Sequence, residues 1–241
     1  MKNANRIAAV VLALLLLGAT ALAAPDARSE HGAFAALMGD SVYASLSTGE
    51  EYALFSVPAA GGDLTKLDSA PSMSDLVEVN GSLYYLRTVG AARQIAKIDA
   101  SGAISTLCEF ENDVQVDHLS FYDDVLYCLA GGRLYIVDPE NGDSTELCDI
   151  LIDDYVIASD VIFYIASADQ RTYERTVAGQ DELITQSSGT LWSMSILGTN
   201  PEMLLDKGVT DLRAYANFLY FHNLEDNYVM GSTDEMWLEG K

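Results

Sequence analysis

The chain repeats itself, and this repetition restricts its fold more than any other feature. A short apolar strand, a turn of Gly, Asn, Asp or Ser, and an apolar-aromatic strand recur as "LVEVNGSLYYL" (76–86), "LSFYDDVLYCL" (119–129), "YVIASDVIFYI" (155–165) and "LRAYANFLYFH" (212–222), with a weaker copy, "AALMGDSVYAS" (35–45). The anchor residues Val42, Leu83, Leu126, Ile162 and Leu219 are 41, 43, 36 and 57 residues apart. A second phrase follows: "LFSVPAAGGDLTKL" (54–67), "IAKIDASGAISTL" (95–107), "LYIVDPENGDSTEL" (134–147) and "LWSMSILGTNPEMLL" (191–205), with "YVMGSTDEMWL" (228–238) as an eroded fifth copy. Alternating apolar residues predict half-buried strands, and the Gly and Asn between them supply the positive φ of tight hairpins.

Each repeat therefore holds four short strands in about 40 residues, the period of a propeller blade. One such unit cannot bury both faces of its sheet. A ring of them can, and closing the ring protects the strand edges. The expected fold is all-β, a β-propeller of about five four-stranded blades at 32–72, 73–112, 113–151, 152–208 and 209–241, the last one short. An insertion at 167–189 lengthens the fourth repeat and reads as the one long loop, with room for a short turn of helix. An open β-solenoid or a two-sheet sandwich would be the competing architectures; a sandwich predicts no regular four-strand period.

The stretches "GSLYY" (81–85) and "LWSMSILGTNPEML" (191–204) resemble the repeats of bacterial secreted propellers related to the lipoprotein-receptor YWTD type, and are similar to TolB-type repeats. The resemblance covers most of the chain and rests on repeat grammar rather than a site motif. It implies a propeller and says almost nothing of function. Such propellers usually have six or more blades. Five repeats imply a small ring, an incomplete chain, or closure by a partner.

The first residues, "MKNANRIAAVVLALLLLGATALAAPDA", have a basic start at Lys2 and Arg6, an apolar run from Ile7 to Leu17 and a small-x-small site at Ala21-Leu22-Ala23. This is the layout of a secretory signal peptide over 1–23, cleaved after Ala23. It predicts an extracytoplasmic protein, secreted or associated with the cell envelope, with no stable membrane insertion after cleavage. Cleavage removes two of the 13 Lys and Arg and none of the 36 Asp and Glu, leaving a net charge of −25. That charge argues against nucleic-acid binding, which needs a basic footprint. The three cysteines are an odd number. Cys108 and Cys148 sit in matching contexts, "STLCEF" and "TELCDI", which favours apolar-like packing over a bridge.

Standard catalytic signatures are absent: no G-x-S-x-G, H-E-x-x-H, Walker loop or G-x-G-x-x-G occurs. "DPENGDSTE" (138–146) lacks the ligand spacing of a calcium loop and falls at a hairpin turn. Two constellations come from the repeat register. Asp75, His118, Asp154 and Asp211 stand just before the first strand of repeats two to five, where repeat one has Phe34. First strands line a propeller's channel, so these four residues are candidates for a polar ring at one mouth. The second constellation is basic: Arg87 and Arg93, Arg133, and Arg171 and Arg175 flank the second-to-third-strand connections of repeats two, three and four. With Tyr173 they are candidates for a ligand-binding face, Arg and Tyr being enriched in contacts.

The expected role is a non-enzymatic interaction module for a protein or cell-envelope ligand, with oligomerisation left open. One alternative is a propeller-type hydrolase or lactonase with a divalent ion, Ca2+ among the candidates, at the channel mouth. Another is a structural surface protein that assembles through its incomplete last blade.

Overall fold

The computed structural model describes residues 28–29, 32–111, 113–176, 183–215, 218–225 and 234–237. The expected signal peptide and His31 lie outside them. All regular structure in the described residues is β-strand. β1 (Arg28–Ser29) is a two-residue strand. The first sheet is β2 (Ala35–Met38), β3 (Ser41–Ser47), β4 (Tyr52–Pro58) and β5 (Thr65–Ala70). The second is β6 (Met73–Val79), β7 (Ser82–Val89), β8 (Ala92–Ile98) and β9 (Ile104–Phe110). The third is β10 (Val116–Tyr122), β11 (Val125–Ala130), β12 (Arg133–Val137) and β13 (Ser144–Glu146). β14 (Ile152–Ala158), β15 (Val161–Thr176), β16 (Leu183–Ser195) and β17 (Glu202–Tyr215) follow, then β18 (Phe218–Asn223) and β19 (Asp234–Trp237). Neighbours within each sheet pair antiparallel in chain order.

β17 belongs to two sheets. Its first part pairs with β16 up to Thr190↔Gly208, and from Val209 it pairs with β18. The fourth and fifth repeats are thereby joined without a turn.

Each sheet is short enough to be closed by local turns and apolar enough to need neighbours. In β7, Leu83 and Tyr85 pack towards the first sheet, while Tyr84 and Leu86 pack towards the third. Successive strand residues point to opposite faces, so a sheet buried on both sides reads as an unbroken apolar run, "LYYL". The first hairpins of sheets two, three and four have positive φ at both central residues: Asn80 and Gly81, Asp123 and Asp124, Ser159 and Asp160. This is the type I′ geometry whose twist matches the flanking strands. Four apolar clusters join sheet one to two, two to three, three to four and four to five. Among the described residues none joins the fifth sheet to the first. Tyr215 of β17 (64% exposed) and Phe34 before the first sheet (52%) are open to solvent. Phe218 and Tyr220, with ring centroids 6.1 Å apart, are only half-buried.

The segment before the first sheet runs along the free edges of the first strands. β1 pairs with β14, the Gly32 N–H donates to the Leu119 carbonyl at 2.7 Å, and Ala33 and Leu76 exchange backbone bonds. It thus touches sheets four, three and two in turn, like a strap. Gly32 is required by this route: a Cβ there would lie 2.4 Å from the Asp75 carbonyl carbon.

Candidate functional site

The four polar residues found in the repeat register lie together. Asp75, His118, Asp154 and Asp211 line one pocket of about 500 Å³, with Gly32 and Ala33 of the strap and Val156, Arg213 and Ala214 from sheets four and five. Their place in the backbone differs from expectation. Each lies inside its first strand rather than before it: Asp75, His118 and Asp211 fall at register shifts, whereas in the fourth sheet the shift falls at Asp153 and Asp154 pairs with Ile165. Asp75, His118 and Asp211 have φ of 53°, 55° and 57°. A bulge absorbs one extra residue and lets pairing resume on its far side. Asp and His tolerate that left-handed conformation better than most residues, so a pattern that looked like a strand boundary lies inside the strand. The first sheet has no such bulge, and Phe34 lies outside β2.

Contacts from these bulges cross between sheets. His118 Nδ1 is 2.9 Å from Asp117 Oδ1 on its own strand, and its Nε2 is 3.6 Å from Asp154 Oδ1 on the next sheet. Asp154 Oδ2 accepts the Leu212 N–H of the fifth sheet at 3.2 Å. The buried Tyr155 hydroxyl donates to the His118 carbonyl at 2.7 Å and lies 2.8 Å from the Ser120 hydroxyl. His222 Nδ1 is 2.8 Å from Asp211 Oδ2. Two of the chain's three histidines therefore meet acids of the pocket.

Burial by itself would lower the His118 pKa. The Asp117 hydrogen bond and the charges of Asp117, Asp154 and Asp75 outweigh it and hold the imidazole above its ordinary value. Asp117 shows the counterpart: burial would raise it, but His118, Gln115 and Arg93 hold it below the usual carboxylate range. Among the described residues, no three His, Cys, Asp or Glu side chains converge as a metal-holding group.

The basic candidates share one end of the molecule, because the second-to-third-strand hairpins of adjacent sheets open the same way, towards the starts of the first strands. Arg87, Arg93, Arg133 and Arg171 have intramolecular partners. Arg87, 15% exposed, pairs with Asp68 of the first sheet at 2.8 Å and also bonds Gln94 and Thr106. Arg93 bonds Ser72 and Thr88, and Arg133 pairs with Glu146 at 2.8 Å.

The insertion is a correction. Where described, at 167–176 and 183–189, it is an extension of β15 and β16, with pairs from Gln170↔Gly189 to Thr176↔Leu183, where a loop was expected. This arm rests on β17. Arg171 bonds Asp206 and Asp169, and the Gly208 N–H donates to the Tyr173 hydroxyl at 2.9 Å. Arg175 pairs with Ile184 in the ladder, and its side chain lies outside the described residues. The alternation in "RTYERT" is itself a strand signal, obscured by the polarity of the segment.

Sequence reasoning missed a second pocket, of about 580 Å³, between the turns of sheets two and three. Lys97 lies there, 5.3 Å from the Tyr84 ring centroid, and donates to the Pro139 carbonyl at 3.2 Å. Nothing in the repeat singles out Lys97: Tyr84 faces it across its own sheet, but Pro139 comes from the next one. All three cysteines are free thiols, Cys108 and Cys128 buried and Cys148 half-buried. No helix among the described residues is long and apolar enough to cross a membrane.

No protein-family model matches the chain, and no curated protein does. Solved structures do. A chain of a nidogen–laminin complex aligns with a TM-score of 0.52 at 11% identity, covering 88% of this chain and 76% of that one. The tricorn protease aligns with a TM-score of 0.51 at 15% identity over 83% of this chain, which spans only 20% of the tricorn chain. At such identities the likeness concerns the fold alone. With four-stranded antiparallel sheets stacked in succession, the chain is an all-β propeller of four complete sheets and a shorter fifth.

Proposed function

We propose that this propeller is an exported, non-enzymatic interaction module, of the bacterial secreted kind its repeats resemble. It receives a protein or cell-envelope ligand at the end that carries the pocket and the arm. One observation carries the reading: four successive sheets each place a polar residue near the start of the first strand, three of them at a bulge, and these residues open on a single pocket of about 500 Å³. Three of the four are carboxylates, so the fitting group on a partner is cationic, such as a lysine or arginine side chain. The arm stands at the same end and adds contact surface that no other repeat offers. Propellers commonly mediate protein contacts, and one of the similar structures is a complex of nidogen with laminin.

The test uses oligo-lysine as probe and calorimetry as readout, with oligo-glutamate as control. Neutralising Asp75 and Asp211 to Asn is expected to weaken oligo-lysine binding about fivefold or more, the equivalent of roughly 1 kcal/mol. Neutralising the exposed acids Asp63 and Asp143, in third-to-fourth-strand hairpins at the other end, should leave binding nearly unchanged. Equal losses in both double variants would reduce the effect to net charge and defeat the proposal. Deleting residues 170–187 gives a second arm of the test, in which unchanged capture of a partner from the source cells removes the hairpin from the binding surface.

A further inference from the structure

The pocket-lining position of the repeat is Asp in sheets two, four and five and His in sheet three. The exception sits where a cation is of most use. The His118 ring has Asp117 on one side at 2.9 Å and Asp154 of the next sheet on the other at 3.6 Å. The same seam is held by the Tyr155 hydroxyl on the His118 carbonyl and, from the strap, by the Gly32 N–H on the Leu119 carbonyl.

We propose that His118 is a pH-responsive latch: its protonated ring ties the third sheet to the fourth across the central pocket, and loss of the proton releases that tie and leaves the pocket one charge more negative. The inference does not depend on which partner the pocket receives.

The groups facing the ring from each packed element agree with this. Asp75 faces it from β6, Asp117 from its own strand, and Asp154 with the neutral Tyr155 hydroxyl from β14. The buried Cys128 thiol of β11, pushed up by burial, stays uncharged. Arg93 of β8 acts on Asp117 rather than on His118 directly, and Arg213 and Asp211 stand across the pocket. The side chains of Arg28 and His31 lie outside the described residues.

A histidine held above its ordinary value stabilises the fold fully below the unfolded-state pKa, about 6.5, and the contribution is lost as pH rises through the folded-state value. Asp117, held low, contributes above its unfolded-state value, about 3.9, and loses its contribution as pH falls. The latch is therefore strongest between about pH 4 and 6.5.

The experiment follows the His118 ring protons by NMR through a pH titration of the full protein, assigned with H118Q and H222Q, alongside thermal midpoints from pH 5 to 8.5. His118 is expected to titrate above about 6.5, and Asp154→Asn to lower that value. The midpoint gap between wild type and H118Q should shrink by about 2–4 °C as pH rises. A His118 that titrates at or below the ordinary value overturns the latch. So does a D154N variant in which His118 titrates unchanged, since the ring would then be paired only within its own strand. If H118Q does not fold, the wild-type and D154N titrations decide the matter.

Discussion

The seams between sheets and the arm on the fourth sheet lie at one end of the propeller and both carry charged side chains. At the seam between sheets one and two, Arg87 and Asp68 are 15% and 17% exposed and are tied further by Tyr85, Gln94 and Thr106. In the arm, Arg171 has two carboxylate partners, Asp169 and Asp206, but Asp206 is 67% exposed. The geometry is similar and the consequence differs, because a charge pair matters to stability in proportion to how far water is kept from it. Charges in a seam hold sheets together; charges in the arm are available for contacts at little expense to the fold.

The contrast can be broken at its strong end first. Replacing Arg87 with Ala leaves Asp68 half-buried without its cation and is expected to cost about 2–4 kcal/mol, somewhat below a fully buried pair. Chemical denaturation measures this, and a loss under about 1 kcal/mol would put the seam on the arm's level. Gly32→Val tests the strap, whose close approach to the Asp75 backbone leaves no room for a Cβ. Overpacking should cost about 1–3 kcal/mol, and hydrogen exchange should quicken at Ala33 and Leu76, which exchange backbone bonds. The smallest effect is expected in the arm: Arg171→Ala should leave the thermal midpoint within error of wild type. A clear drop there would show that the arm is part of the folded core.

Much of this architecture was legible before the structure. The four-strand period, the hairpin turns and the two-sided burial of "LYYL" and "IFYI" are local properties, written in neighbouring residues. The register also picked out Asp75, His118, Asp154 and Asp211, because the same position of successive repeats falls at one depth in the stacked sheets, at a bulge in three of the four. What it mistook was their backbone state: a polar residue beside an apolar run looks like a boundary, and only the pairing on its far side reveals a bulge. The insertion was misread for a related reason. Its strands are polar, so their alternation gives little signal, yet β15 and β16 extend their ladder through its described residues. Tyr220, in the apolar-aromatic strand of the last repeat, lies half-buried on the face of the fifth sheet away from the fourth.

By itself, then, the sequence determined the repeating strand grammar, the turn chemistry and the strong negative charge, since each depends on composition or on residues a few places apart. Tertiary structure decided which charges are enclosed and which are exposed. Arg87 meets Asp68 across 19 residues, Tyr155 reaches His118 across 37, and Leu212 reaches Asp154 across 58. No local pattern encodes such meetings. They exist because stacking the sheets brings the same position of successive repeats to one axis, where residues alike in sequence become neighbours in space.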